Sequence, residues 1–415
     1  MLKYHRSNWM GLITKENGEK NLSQFSIPGT HDSGTEKISA GFAHCQNFSI
    51  EQQLFDGIRF FDIRVKNNGK SLQLYHGSEN CDINFDIVLN WCKAFLKEHT
   101  TETILMCVKG EESGQDISTN LKAYVDRNKT LFLDTKCLPT LNAARGKIVL
   151  FNRNSYSDIG IDWTGWRDNT NFCIHTKSDN FYIDDNYNMS FTPDKLKRVK
   201  ATMDMAIKDP IYKDYFFVTF CSVAATFGHL FTPFQFAWSV EPAMNPNIHK
   251  YVKGCGYGKR LGVVLFDFYN KESILDNYLV DGIIQSNFNE ELSPITESYK
   301  IEVKTGDKTG AGTDSNIILT MYGDKSSSYY RVKLNPLFSG NALEKNDLDS
   351  CTLKYNHYIG NIIKIRLRSD HLYAGADWYV SYVKITRNET SEVFLAKIDK
   401  WIEDTNDHDF PCVKQ

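Results

Sequence analysis

The sequence predicts an α/β chain: a βα barrel of the TIM type, complete or incomplete, followed by an antiparallel β-sandwich. Three observations carry this. From residue 22 to about 288, short apolar runs alternate with longer amphipathic stretches, which is the rhythm of strand–helix units. Polar and ionisable residues stand at the carboxyl ends of those runs, where barrels of this type build active sites. From about Tyr299 the texture changes to period-two alternation with turns between runs and no convincing helix, as expected of a sandwich of about 115 residues.

Strands are expected at 25–27, 60–64, 72–75, 104–109, 148–152, 216–221 and 261–268. Helical spacing of apolar residues appears at 86–98 and 193–208, the second opened by Thr192-Pro193 as cap and first turn. In the sandwich the runs are YKIEVKTGD, NIILTMYG, YYRVKLN, IIKIRLRS, WYVSYVKITRN and EVFLAKI. The boundary falls in NFNEELSPITES, residues 287–298, so that 1–292 and 293–415 form two domains, as a chain of 415 residues leads one to expect.

Hydrophobic residues at 41%, charged residues at 24% and aromatics at 13% describe a globular protein. A net charge of -3 leaves no general attraction for phosphate backbones, so nucleic acid is not expected as a partner. No apolar run approaches the roughly 18–20 residues of a membrane span, and the opening MLKYHRSNWMGLITKENGEK lacks the apolar core of a secretory signal. The cysteines are scattered, Cys107 and Cys221 inside apolar runs, which reads as buried thiols in a cytosolic protein. A mature secreted protein trimmed of its signal would look similar, and the sequons at Asn128 and Asn388 carry no weight.

Four clusters carry chemistry. SIPGTHDSGT, residues 26–35, leads a short strand through Pro28-Gly29 to His31 and Asp32. FFDIRV points Asp62 and Arg64 to one side of a strand, because residues two apart share a face. LYHG places His76 just past a strand end, and LGVVLFDF ends an apolar run at Asp267. Singly each has a bland reading: a histidine near a turn is commonly structural, and an Asp-x-Arg strand is commonly a local ion pair. The weight rests on the combination.

These four motifs, in this order, resemble the bacterial phosphatidylinositol-specific phospholipase C family and its eukaryotic X-domain relatives, from about Asn8 to Phe288. The resemblance implies cleavage of a phosphodiester by the neighbouring inositol hydroxyl, giving diacylglycerol and a cyclic inositol phosphate. It implies His31 as base and His76 as acid, tasks suited to imidazoles. Asp267 would hold His31, Asp32 would hold His76, and Asp62 would accompany Arg64. In the calcium-dependent animal enzymes a metal held by acids answers the charge that develops on phosphate. Here Arg64 stands where one of those acids would be, and Lys109 in MCVKGE where another would be, which implies a metal-free site with no cofactor. Arg153 after GKIVLFN, and Asp185 and Tyr187 in IDDNYNMSF, resemble positions that grip the inositol ring; a slip of one residue would substitute Asp184.

Residues 223–238, VAATFGHLFTPFQFAW, are longer and more aromatic than the matching bacterial rim loop. They read equally as lipid-inserting or as a buried crossover packed on the barrel; His229 is not expected to be catalytic. The run Lys195, Lys197, Arg198, Lys200 reads as a solvated helix face.

The second domain opens with YKIEVKTGDKTGAGTDSNIILTMYG, which resembles the PLAT (lipoxygenase-homology) module. That resemblance implies docking to a peripheral membrane surface or a protein partner, with calcium in some members. Asp314, Asp370 and Asp377 are the calcium candidates, although loop aspartates are commonly turn formers. Two other readings stay open: a glycerophosphodiester phosphodiesterase, which would need an acidic metal cluster, and a non-catalytic inositol-lipid-binding adaptor.

Overall fold

Runs of β-branched and aromatic residues bounded by turn formers become strands where their backbones find partners. In the computed structural model, which describes residues 2–415 other than 70, 113, 115, 155–157, 189–191, 225–230, 271–277, 296, 325–328, 356–358 and 373–374, they build two compact units, Met1–Pro294 and Ile295–Gln415.

In the first unit β1 (Leu2–Tyr4) pairs in parallel with β13 (Leu292–Pro294). Between them one sheet contains β2 (Ile27–Thr30), β3 (Phe60–Asn67), β4 (Leu72–His76), β5 (Glu79–Asn84), β6 (Ile104–Gly110), β7 (Ile148–Asn152), β8 (Ile161–Asp162), β9 (Asn171–His175), β10 (Asn180–Asp184), β11 (Tyr215–Phe220) and β12 (Val263–Phe266). Its order is β8-β7-β6-β3-β2-β12-β11-β10-β9, with β4 and β5 a hairpin beside β3. Neighbours along this path are parallel except β9, which runs antiparallel to β10. Among the described residues no pairing joins β8 to β9, so the barrel is of the incomplete kind. The helices are α1 (Ile50–Phe55), α2 (Phe85–Glu98), α3 (Ser118–Arg127), α4 (Leu141–Ala144), α5 (Thr192–Lys208), α6 (Pro233–Trp238), α7 (Met244–Cys255) and α8 (Tyr278–Gln285). None of the described helices is long and apolar enough to cross a membrane.

The high aromatic content has a structural use. Phe60, Phe151, Trp163, Phe181 and Phe216 come from strands on opposite sides of the sheet, or from the chain just after one, and meet as a buried plug. Ring centres lie 4.3 Å apart for Phe151–Trp163 and 5.5 Å apart for Phe151–Phe216. Asp62 and Arg64 share the face of β3 that carries Phe60, so they stand one and two steps beyond this plug, toward the carboxyl end.

Several expectations need correction. The first strand begins at Ile27 rather than 25, because Phe25 ends a 3-10 turn over Leu22–Gln24 and pairing starts where Ile27 N–H donates to Gly262 O at 3.0 Å. The strand then runs through Gly29, where a Cβ would lie 3.0 Å from Phe60 Cβ. The basic run on α5 is not wholly solvated: Lys195 is fully buried and its ammonium donates to Asn186 O at 2.7 Å. Only its neighbours Lys197 and Arg198 are exposed.

In the second unit β14 (Glu297–Thr305), β15 (Ile317–Gly323), β16 (Tyr329–Lys333), β17 (Leu348–Tyr355), β18 (Ile362–Ser369), β19 (Trp378–Arg387), β20 (Val393–Ile402), β21 (His408–Pro411) and β22 (Val413–Lys414) form two antiparallel sheets. Their orders are β17-β14-β19-β20-β22 and β16-β15-β18-β21. The alternation read from sequence is the burial pattern here: Tyr299, Ile301 and Val303 are fully buried on β14, whereas Lys300 between them is exposed.

Candidate active site

At the end of β2 the backbone turns sharply, with Asp32 at φ 43°, a left-handed conformation that aspartate tolerates better than most residues. The turn is pinned to β3 and α1: Asp62 N–H donates to Ser33 Oγ at 3.0 Å, and the Gln53 side-chain amide donates to Ser33 O at 2.8 Å. At the end of β12, Phe268 repeats the left-handed turn beside Asp267 (φ 44°). These turns place His31 between two carboxylates.

His31 Nδ1 lies 2.8 Å from Asp267 Oδ1, and its Nε2 lies 3.1 Å from Asp32 Oδ2. Burial opposes a charge on this ring, but Asp32 and Asp267 outweigh it and hold the imidazole up at about 9. His76 stands opposite, its ring centre 6.3 Å from that of His31. Its Nε2 is 3.5 Å from the same Asp32 oxygen, and its Nδ1 lies 2.9 Å from the carbonyl of Ala43. The sequence reading paired Asp32 with His76; the structure puts Asp32 between the two histidines and nearer to His31. That buried Asp32 oxygen has no aligned hydrogen bond among the described residues.

Arg64 completes the cluster. Its Nε is 3.0 Å from Asp32 Oδ1 and its Nη2 is 3.1 Å from Asp62 Oδ2. Despite burial of Asp62, the guanidinium, with His31 and Arg153 behind it, holds that carboxyl well below the usual carboxylate range. Lys109 pairs in register with Arg64 on the neighbouring strand, and thus faces the same side. Sequence reasoning set Lys109 in place of an acid, but an acid stands beside it. Glu111, two residues on, is 3.7 Å from Lys109 Nζ and 3.8 Å from Arg64 Nη1.

Arg153 lies flat over Trp166, its guanidinium carbon 3.7 Å from the ring centre. One of its nitrogens is buried without a partner among the described residues. Trp166 Nε1 donates to Asp185 Oδ2 at 2.9 Å, and burial raises the Asp185 pKa against the pull of Arg153. Asp184 points elsewhere, accepting from Thr202 Oγ1 at 2.9 Å, so of the two carboxylates Asp185 is the one that joins the pocket. Tyr187 is half-buried near Asp168 and Asp185, and burial raises its phenol.

Sequence reasoning missed Glu111, Trp166, Phe220, whose ring centre is 5.9 Å from that of His31, and Cys45, whose thiol is 3.8 Å from His76 Nδ1. Glu111 had a signal, since it shares a face with Lys109 two residues before it; the other three come from elements with no motif of their own.

Among the described residues, the groups of histidine, cysteine and aspartate close enough to hold a metal are His31–Cys45–Asp267, Asp32–Cys45–His76 and His31–Asp32–Asp62. All lie in this pocket, and at the carboxylates of Asp32 and Asp62 the Arg64 guanidinium already supplies the positive charge. None includes the calcium candidates of the second unit. Asp370 accepts from Asn316 N–H at 2.9 Å, Asp377 lies 2.9 Å from His371 Nε2, and Asp314 is exposed. His229 and residues 225–230 around it lie outside the described residues. In the described remainder of that aromatic segment, Pro233–Trp238 form helix α6, with Phe236 buried and Trp238 Nε1 donating to Phe268 O at 2.8 Å, while Phe231, before the helix, is exposed.

Comparison with known proteins shows which families the two units resemble. Residues 19–154 match the phosphatidylinositol-specific phospholipase C X domain, and residues 299–412 match the PLAT/LH2 domain. The 1-phosphatidylinositol phosphodiesterase of Staphylococcus aureus (strain Newman) is 29% identical over 302 residues, covering 68% of this chain and 94% of that protein. The enzyme of the same name from Listeria monocytogenes is 30% identical over 270 residues, covering 61% and 79%. A crystal structure of the S. aureus phosphatidylinositol-specific phospholipase C superposes with a TM-score of 0.61 at 28% identity, covering 68% of this chain and 98% of the other. The second unit is similar to lipoxygenase homology domain-containing protein 1 of Mus musculus, 30% identical over 128 residues, 31% of this chain and 6% of that protein. The chain belongs to the phosphatidylinositol-specific phospholipase C X-domain family and carries a PLAT/LH2 domain that follows the barrel in sequence.

Proposed function

We propose that the barrel is a phosphoric diester hydrolase of the phospholipase C type, cleaving phosphatidylinositol-like lipids by general acid–base catalysis without a metal ion. The observation that carries this is two imidazoles facing one another across one buried Asp32 oxygen, 3.1 Å from His31 Nε2 and 3.5 Å from His76 Nε2, with Arg64 at the same carboxylate. His31, held by Asp267, takes the proton of the inositol hydroxyl next to the phosphate. That oxygen attacks phosphorus, and the bond from phosphorus to the glycerol oxygen breaks. His76 gives its proton to the departing oxygen, releasing diacylglycerol and leaving a cyclic inositol phosphate. Arg64 answers the charge on the non-bridging oxygens from the place a cation would otherwise take, positioned by Asp62. Lys109, Arg153 and Asp185 hydrogen-bond the ring hydroxyls and Tyr187 covers the ring face. A slower attack of water on the cyclic product, run by the same pair in reverse roles, would give the open inositol phosphate.

The PLAT/LH2 unit serves as the docking module, toward a peripheral membrane surface or a protein partner. Free thiols, with Cys92 and Cys107 pushed up to about 12 by burial, support residence in a reducing compartment. Incubation with a panel of labelled phospholipids, with and without chelator, tests the reading. The expected result is a water-soluble cyclic phosphate from inositol lipids in both conditions; product from choline or ethanolamine lipids instead would overturn it.

A further inference from the structure

Glu111 lies just past the end of β6 and is mostly buried, with 8% of its side chain exposed. Its backbone is fixed, the N–H donating to Val65 O at 2.8 Å. Its carboxylate reaches three separate parts of the site. Oε1 accepts from the N–H of Gly77 at 2.9 Å, the residue directly after His76. The same oxygen lies 3.8 Å from Arg64 Nη1. Oε2 lies 3.7 Å from Lys109 Nζ and has no hydrogen bond among the described residues. A carboxylate left short of partners is costly to bury unless cations compensate it, and here both nearby cations face the site. Gly77, at φ 59°, begins the turn from β4 into β5 directly after His76, and its N–H donates to Glu111 across the mouth of the site, a tie added to the His76–Glu79 pairing of the hairpin.

We infer that Glu111 is a positioning residue that fixes the His76–Gly77 turn while keeping Arg64 and Lys109 drawn together until an anionic substrate arrives. The inference rests on the phosphodiester-cleaving role proposed above. A phosphate entering between the histidines competes with Glu111 for the guanidinium. The carboxylate therefore weakens ground-state binding and at the same time sets the geometry from which the acid and the guanidinium act.

Full-length Glu111→Gln and Glu111→Ala separate the two parts of this role. The glutamine oxygen still accepts from Gly77 but carries no charge, whereas alanine gives up both. With phosphatidylinositol in mixed micelles, E111Q should lose about tenfold in kcat and E111A about a hundredfold, the scale of losing a side chain that orients the ligands of a metal site. KM should not rise in E111Q, because both cations are released toward the phosphate. The His76 ring resonances should move in E111A and stay in place in E111Q. E111Q is isosteric, so it decides the charge half of the inference should E111A melt early. A kcat for E111Q equal to wild type, or His76 resonances unchanged in a folded E111A, would overturn the inference. Absence of cleavage by wild type would overturn the functional reading instead, and the His76 resonances would still report on the positioning role.

Discussion

His31 is the residue whose surroundings say most about how the site works. Its pKa is raised from 6.5 to about 9 because two carboxylates flank it in a buried place. The stabilisation this gives the fold is fully present below pH 6.5 and is lost as pH rises through about 9, since only the charged ring gains from Asp32 and Asp267. In its proposed role as general base His31 must be neutral to act, so kcat/KM should climb with pH well above 6.5. In Asp267→Asn the ring loses a carboxylate, and its titration followed by NMR should move down by a unit or more; a ring that titrates as in wild type would show that Asp267 does not govern it. Arg64 carries a different test. Lysine keeps the charge but not the two-pronged geometry that meets Asp32 and Asp62, so Arg64→Lys should lower kcat/KM by on the order of 100-fold, measured on soluble substrate with the melting temperature as control. These residues were legible in the sequence because each sits in a motif whose spacing fixes its face. Trp166 and Phe220 were not legible, because only the closure of the sheet brings them to Arg153 and His31.

At the scale of elements, apolar spacing located α2 and α5 well, and strong alternation located β14, β15 and β19. The misses share a cause. Strand β8 is two residues long, and β17, LDSCTLKY, is too polar at its start to stand out, so pairing with β14 rather than local preference makes it a strand. The first strand was misplaced because Pro28-Gly29 reads as a turn. In the fold, Gly29 is used for close approach. Gly262 shows the same logic more sharply: at φ 75° and with a would-be Cβ 2.5 Å from Phe217 Cβ, it lets β12 enter the sheet beside β11. Gly262→Ala should destabilise the first unit by about 1–3 kcal/mol, seen as a lower melting temperature, whereas Gly165→Ala, with open space around it, should leave that temperature unchanged.

For the whole molecule, the change of texture near residue 299 was enough to announce a second unit, and the structure divides the chain at Pro294. Long-range pairing alone could show that, among the described residues, the barrel seam stays open between β8 and β9, because no local signal distinguishes a closing strand from a missing one. In the reading proposed above the barrel reacts and the sandwich docks, and its central claim concerns the barrel: two histidines and an arginine cleave an inositol phosphodiester with no metal ion. The most direct test compares wild type, His31→Ala and His76→Ala on phosphatidylinositol in excess chelator, with phosphorus NMR following the cyclic product. Wild type should form that product at the same rate as without chelator, and each variant should lose on the order of 100- to 10,000-fold. Loss of wild-type activity to the chelator, or near-normal activity in either variant, would contradict the account.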